Sequence, residues 1–98
     1  MPQTLLDAAT ANVNSDSSAA VTLFAANTSA SQRMVFNDST AILYLKFGSA
    51  ASATSHTVQV AAGGFYELPV TAHGDVYRGL VTGRWSATNG AARTTEVY

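Results

Sequence analysis

Apolar and polar residues alternate with a period of two along most of the chain, the spacing of strands that bury one face. The clearest stretch is residues 34–48, Met-Val-Phe-Asn-Asp-Ser-Thr-Ala-Ile-Leu-Tyr-Leu-Lys-Phe-Gly. Two runs rich in β-branched and aromatic residues flank Asn37-Asp38-Ser39-Thr40, four residue types that favour chain reversal. The pattern predicts a β-hairpin over 33–48, central in a sheet. In its second strand Leu43, Leu45 and Phe47 face inward, and Tyr44 lies half-exposed beside Lys46.

The same reading places further strands at 19–27, with Val21 and Leu23 on one face, and at 56–62, with Val58 and Val60 inward. Gly63-Gly64 supplies the positive backbone angles of a tight hairpin into a short strand at 65–68, which Pro69 ends or confines to an edge. Residues 75–85 form the longest expected strand, with Gly79 and Gly83 marking a bulge or bend. Asn89-Gly90 is the strongest short hairpin signal and leads into a last strand at 91–98. No stretch has the spacing of an amphipathic helix. The expectation is an all-β, seven-stranded antiparallel sandwich, jelly-roll or Ig-like, over residues 19–98. Residues 1–18 read as a mostly extended N-terminal arm with one apolar anchor at Leu5 and Leu6.

The chain has 98 residues, enough for one domain with one thin core. Charged residues make up only 11%, against about 25% in ordinary domains. Ala, Ser and Thr take their place at about 40% of the chain. Such a mild surface suits a protein that is partly covered by partners better than a free monomer. The net charge is −1 and its five basic residues are scattered, so no footprint for nucleic acid forms. No apolar run approaches the ~20 residues that span a membrane, and no secretory leader is legible. With no cysteine, redox compartment is unreadable and thiolate chemistry is excluded.

Candidate chemistry is sparse. His56 and His73 lie far apart without the local ligand spacing of a zinc site, and read as exposed loop residues. Asp38 and Asp75 lie in no carboxylate-rich calcium loop, and the six acids include no close pair for acid–base work. Gly63-Gly64 is followed by neither Lys-Ser/Thr nor a helix and is no phosphate loop. No catalytic residue, metal ligand or cofactor is therefore assigned. The aromatics Tyr44, Phe65, Tyr66, Tyr77, Trp85 and Tyr98 could line a sugar-binding face. The favoured alternative puts Phe65 and Trp85 in the core and the tyrosines at edges or interfaces, where an amphipathic ring is useful. On that basis Leu5, Leu6, Tyr44, Tyr66, Tyr77 and Tyr98 are the candidate assembly residues.

Several stretches together resemble small β-sandwich structural proteins of tailed bacteriophages. They are Arg33-Met-Val-Phe-Asn-Asp-Ser-Thr-Ala-Ile-Leu-Tyr-Leu-Lys-Phe-Gly, His56-Thr-Val-Gln-Val, Gly63-Gly-Phe-Tyr-Glu-Leu-Pro, Gly79-Leu-Val-Thr-Gly-Arg-Trp and Asn89-Gly-Ala-Ala-Arg-Thr-Thr-Glu. The resemblance covers about residues 26–96, leaves the arm outside, and rests on packing and turn motifs. It implies a virion accessory protein without catalytic residues: a capsid decoration protein on the outside of the head, or else a neck, tail or fibre-attachment component. A carbohydrate- or receptor-binding module is the reading from another class. The expected partners are other copies of the chain, as a trimer, and the major capsid protein or other virion proteins. The expected location is the virion.

Overall fold

The computed structural model describes residues 6–98, and Leu5 lies outside them. The described chain is all-β, with two four-stranded antiparallel sheets packed face to face. Its strands are β1 (Ala8–Asn14), β2 (Val21–Phe24), β3 (Gln32–Asp38), β4 (Leu43–Phe47), β5 (Val58–Val60), β6 (Phe65–Glu67), β7 (Val81–Trp85) and β8 (Ala91–Val97). One sheet runs β1-β8-β3-β6 and the other β2-β7-β4-β5. The pairs β1–β8, β2–β7, β3–β6 and β4–β5 are nested, as if one long hairpin had been rolled up on itself. There are eight strands, not seven. The added one is β1, in the stretch read as an arm, and it pairs with β8 along its full length.

This wiring corrects three expected hairpins. β3 and β4 belong to opposite sheets, and so do β5 and β6, and β7 and β8. The turn residues at 37–40, 63–64 and 89–90 do reverse the chain, but each reversal crosses the sandwich. Among consecutive strands only β4 and β5 pair side by side. The strand expected over 75–85 begins at Val81, and Gly83 is no bulge. Gly83 faces inward, where an added Cβ would lie 2.8 Å from the side chains of Leu23 and Leu43. The register shift sits instead in β2, between Thr22 and Phe24.

A chain that leaves a sheet at a corner takes its peptide groups out of the ladder, and those left inside need other partners. β3 supplies them. Its inward residues Arg33, Val35 and Asn37 are all fully buried, two of the three polar. Asn37 Nδ2 donates to the carbonyls of Ala41 (2.8 Å), Val60 (3.0 Å) and Ala61 (3.1 Å), the first at the β3–β4 corner and the others at the β5–β6 corner. Its Oδ1 accepts from Ser39 Oγ (2.7 Å) and from Trp85 Nε1 (3.2 Å) on β7. One side chain thus ties two corners and a strand of the facing sheet.

Arg33 does the same at the other end. Its Nε donates to Glu96 Oε2 at 2.7 Å, and its terminal nitrogens donate to the carbonyls of Ala25, Tyr77, Arg78 and Gly79. All five guanidinium donors are used, and the group lies 5.1 Å from the centre of the Phe24 ring. Between these two polar anchors lies the apolar core, with Leu23, Phe24, Leu43, Leu45, Val60, Leu68, Val81 and Trp85 buried. The inward facing expected for Leu43 and Leu45 and the burial of Trp85 hold; Phe47 is only half-buried.

Two substitutions test this arrangement. Trp85→Ala should lower the unfolding free energy by about 3–5 kcal/mol, as for other large-to-small core changes. Asn37→Ala removes far less volume, yet should cost at least about 3 kcal/mol, since several buried groups lose their partner at about 1–3 kcal/mol each. Urea melts measure both. An Asn37→Ala midpoint no lower than that of the exposed-site control Asn14→Ala would show that the corners hold without this side chain.

Candidate functional site

The six candidate assembly residues do not form one surface. Leu5 lies outside the described residues. Leu6 is exposed just before β1, and the backbone of the next residue, Asp7, exchanges hydrogen bonds with that of Tyr98 at 2.7 and 2.8 Å. Tyr44 stands on the outer face of the second sheet, its ring 5.1 Å from that of His56. Tyr77 lies ahead of β7 and stacks on Phe47, with ring centres 4.9 Å apart and planes 9° apart. Tyr66 faces inward from β6, opposite Val35, and packs against the core. Tyr98 lies opposite Asp7, so alternation turns Leu6 to the other face of the sheet, and the two are not joined into one surface either.

The residue that sequence reasoning misplaced most is Phe65. It was expected in the core and is 60% exposed. The reason is register: Tyr66 pairs with the buried Val35, so its neighbour Phe65 points the other way, opposite Phe36. Phe36 is 36% exposed, and half-buried Met34 shares its face two residues back. Met34, Phe36 and Phe65 therefore form a contiguous apolar patch on the outer face of the β1-β8-β3-β6 sheet. Its rim is charged, with Glu67 opposite Met34 and the Arg93–Asp38 ion pair (3.1 Å) beside Phe36. Isolated surface apolar residues need no explanation, but a patch rimmed by charge is the usual form of a contact surface.

The opposite face is polar. Tyr44, Lys46, Gln59 and Arg84 project from it. A depression of about 390 Å³ lies beside Tyr44, lined by the hydroxyls of Ser17, Ser52, Thr54 and Ser86 and by Arg84. His56 Nδ1 is 2.9 Å from the Ser52 carbonyl at its margin. A second depression of about 340 Å³ opens between the edges of β1 and β2, and is more apolar, lined by Ala9, Ala11, Leu23 and Phe24.

Three of the aspartates serve the framework. Asp38 and Asp75 each pair with an arginine, Arg93 and Arg78. The Asp16 carboxyl accepts from the Ser18 backbone N–H and hydroxyl, both at 2.8 Å, which holds it below the usual carboxylate range. His73 is exposed. No three His, Cys, Asp or Glu gather among the described residues. No family model, curated protein or solved structure matches the chain.

Burial pushes the Tyr66 hydroxyl above its ordinary value of 10.0, because the phenolate would be poorly solvated there. The folded chain then holds this proton more tightly than the unfolded one, so this contribution to stability is lost as pH rises through the alkaline range. Denaturation curves from roughly pH 9 to 11 should show a falling limb that is shallower in Tyr66→Phe. Equal limbs in the two proteins would place Tyr66 in solvent.

Proposed function

We propose that the chain is a non-enzymatic structural protein of a tailed-phage virion, a decoration protein that lies on the outside of the head. The observation that carries this reading is the apolar patch of Met34, Phe36 and Phe65. On a chain with 11% charged residues and no other large apolar side chain as exposed as Phe65 except Leu6 among the described residues, it is the natural side to lay against a larger assembly. The nested strand pairing supports the setting: it is the wiring of the jelly roll, an architecture used by viral capsid proteins and by lectins. Wiring alone does not choose a function, so the resemblance over about residues 26–96 supplies the phage context and the patch supplies the docking side.

The polar depression beside Tyr44 favours a second reading, a carbohydrate-binding module. Hydroxyl-bearing side chains with one half-exposed ring and one arginine suit a sugar, whose apolar face stacks while its hydroxyls are hydrogen-bonded.

The two readings use opposite faces, which makes them separable. Phe36→Lys with Phe65→Lys should leave the sandwich folded, since both rings already meet solvent. It should weaken binding to heads of the parent particle lacking the protein by at least about thirtyfold, the loss of one ~2 kcal/mol anchor. Tyr44→Ala should leave head binding unchanged. Co-sedimentation with heads measures both, and a glycan array measures the alternative. Undiminished head binding by the double variant, or glycan binding that Tyr44→Ala abolishes, would overturn the decoration reading.

A further inference from the structure

The two sheets have four edges, and three of them are blunted. β5 and β6 have three residues each, and β6 runs directly into Leu68-Pro69. β2 has four residues and carries the register shift. These are the usual devices that keep a sheet from adding further strands. β1 has none of them. It is seven residues long, Ala-Ala-Thr-Ala-Asn-Val-Asn, unbroken in register, with no charge and no proline.

The ladder tells which of its groups are unused. Asp7 and Tyr98 exchange both backbone bonds, and Ser15 N–H reaches the Gly90 carbonyl at 3.2 Å. In an antiparallel pair the bonded positions alternate, so Ala9, Ala11 and Val13 also point their N–H and C=O at β8. Ala8, Thr10, Asn12 and Asn14 point theirs away from the sheet.

We propose that β1 is a dimerisation edge, to which a second copy of this chain adds its own β1 antiparallel, across a two-fold axis at Ala11. In that register Ala8 pairs with Asn14 of the copy and Thr10 with Asn12. Every outward N–H and C=O from Ala8 to Asn14 then has a partner, and the two four-stranded sheets become one. The side chains agree with the same register. Ala9 meets Val13 and Ala11 meets Ala11 on the inner side, so apolar faces apolar. Thr10 meets Asn12 and Ala8 meets Asn14 on the outer side, and no charges oppose one another.

The occupant is a copy because the edge matches itself in length. A head-to-tail ring through strand addition, as the expected trimer would need, has to pair β1 with one of the edges of three or four residues. The inner face of the added strand also extends the apolar wall beside the depression between β1 and β2, where Ala9 and Ala11 lie exposed. This contact is separate from the Met34–Phe36–Phe65 patch, so it stands or falls independently of head binding.

Sedimentation of the full chain, with variants of β1, tests the proposal. The parent should sediment at twice the 10.2 kDa of one chain. Asn12→Pro removes an outward donor but no bond to β8, so it should sediment as a folded monomer. Thr10→Lys, which sets a charge on the edge, should do the same and serves where the proline variant fails to fold. The chain has no cysteine, so Ala11→Cys reads the register directly: mild oxidation should crosslink it to its copy, while Ser49→Cys on another loop stays dimeric but uncrosslinked. A parent that is monomeric or trimeric would overturn the proposal. So would a dimer that persists in folded Thr10→Lys, or one in which Ala11→Cys does not crosslink.

Discussion

Two polar side chains inside the core set the terms for everything else. When strands cross between sheets at both ends of a thin sandwich, buried carbonyls are left over, and each must find a donor. β3 places Asn37 at one end and Arg33 at the other, with Val35 between them, all on its inward face. Each reaches groups from other elements: the Val60 and Ala61 carbonyls and the Trp85 indole N–H for Asn37; the Ala25, Tyr77 and Gly79 carbonyls for Arg33. Every buried side-chain polar atom among the described residues has a partner. A satisfied network of this kind specifies one arrangement of corners, because any other leaves charge or carbonyl groups unmatched in a low-dielectric interior.

Turning Arg33 and Asn37 inward has a second effect. Side chains alternate along a strand, so Met34 and Phe36 are turned out. Two of the apolar side chains of β3 look outward while two of its polar ones look at the core. Phe65 joins the outer side for the same reason, since Tyr66 follows Val35 inward. The exposed patch is thus tied to the internal anchors. The framework that holds the corners also creates the surface on which the decoration reading rests.

The sequence was legible where local pattern decides. The all-β class, the positions of six strands and the end of a seventh, the inward facing of Leu43 and Leu45 and the burial of Trp85 follow from alternation and residue type. The sheet partnership of those strands did not. Asn37-Asp38-Ser39-Thr40, Gly63-Gly64 and Asn89-Gly90 all permit reversal, and the same residues serve a hairpin within one sheet or an arch between two. The choice depends on the nested pairing of β1 with β8 and β2 with β7, partners more than fifty residues apart. β1 was missed because Ala and Asn carry little strand preference, and its pairing with β8 supplies what its own residues lack. The inward facing of Arg33 was equally hidden, since most of its acceptors come from two remote segments, 77–79 and Glu96. Of the candidate assembly residues, Leu6 and Tyr98 fall on opposite faces of their sheet, while Tyr66 is drawn toward the core and Tyr44 stands on the opposite sheet.

The internal anchoring by β3 is tested most directly by hydrogen exchange at side-chain protons in the native protein. The Asn37 carboxamide protons and the Arg33 Nε proton are resolvable by nitrogen-edited NMR. The account predicts that both sets exchange as slowly as the backbone amides of the central strands β7 and β8, because only opening of the sandwich exposes them. Exchange as fast as that of the exposed Asn12 carboxamide would contradict it, and would mean that the corners are held by something else.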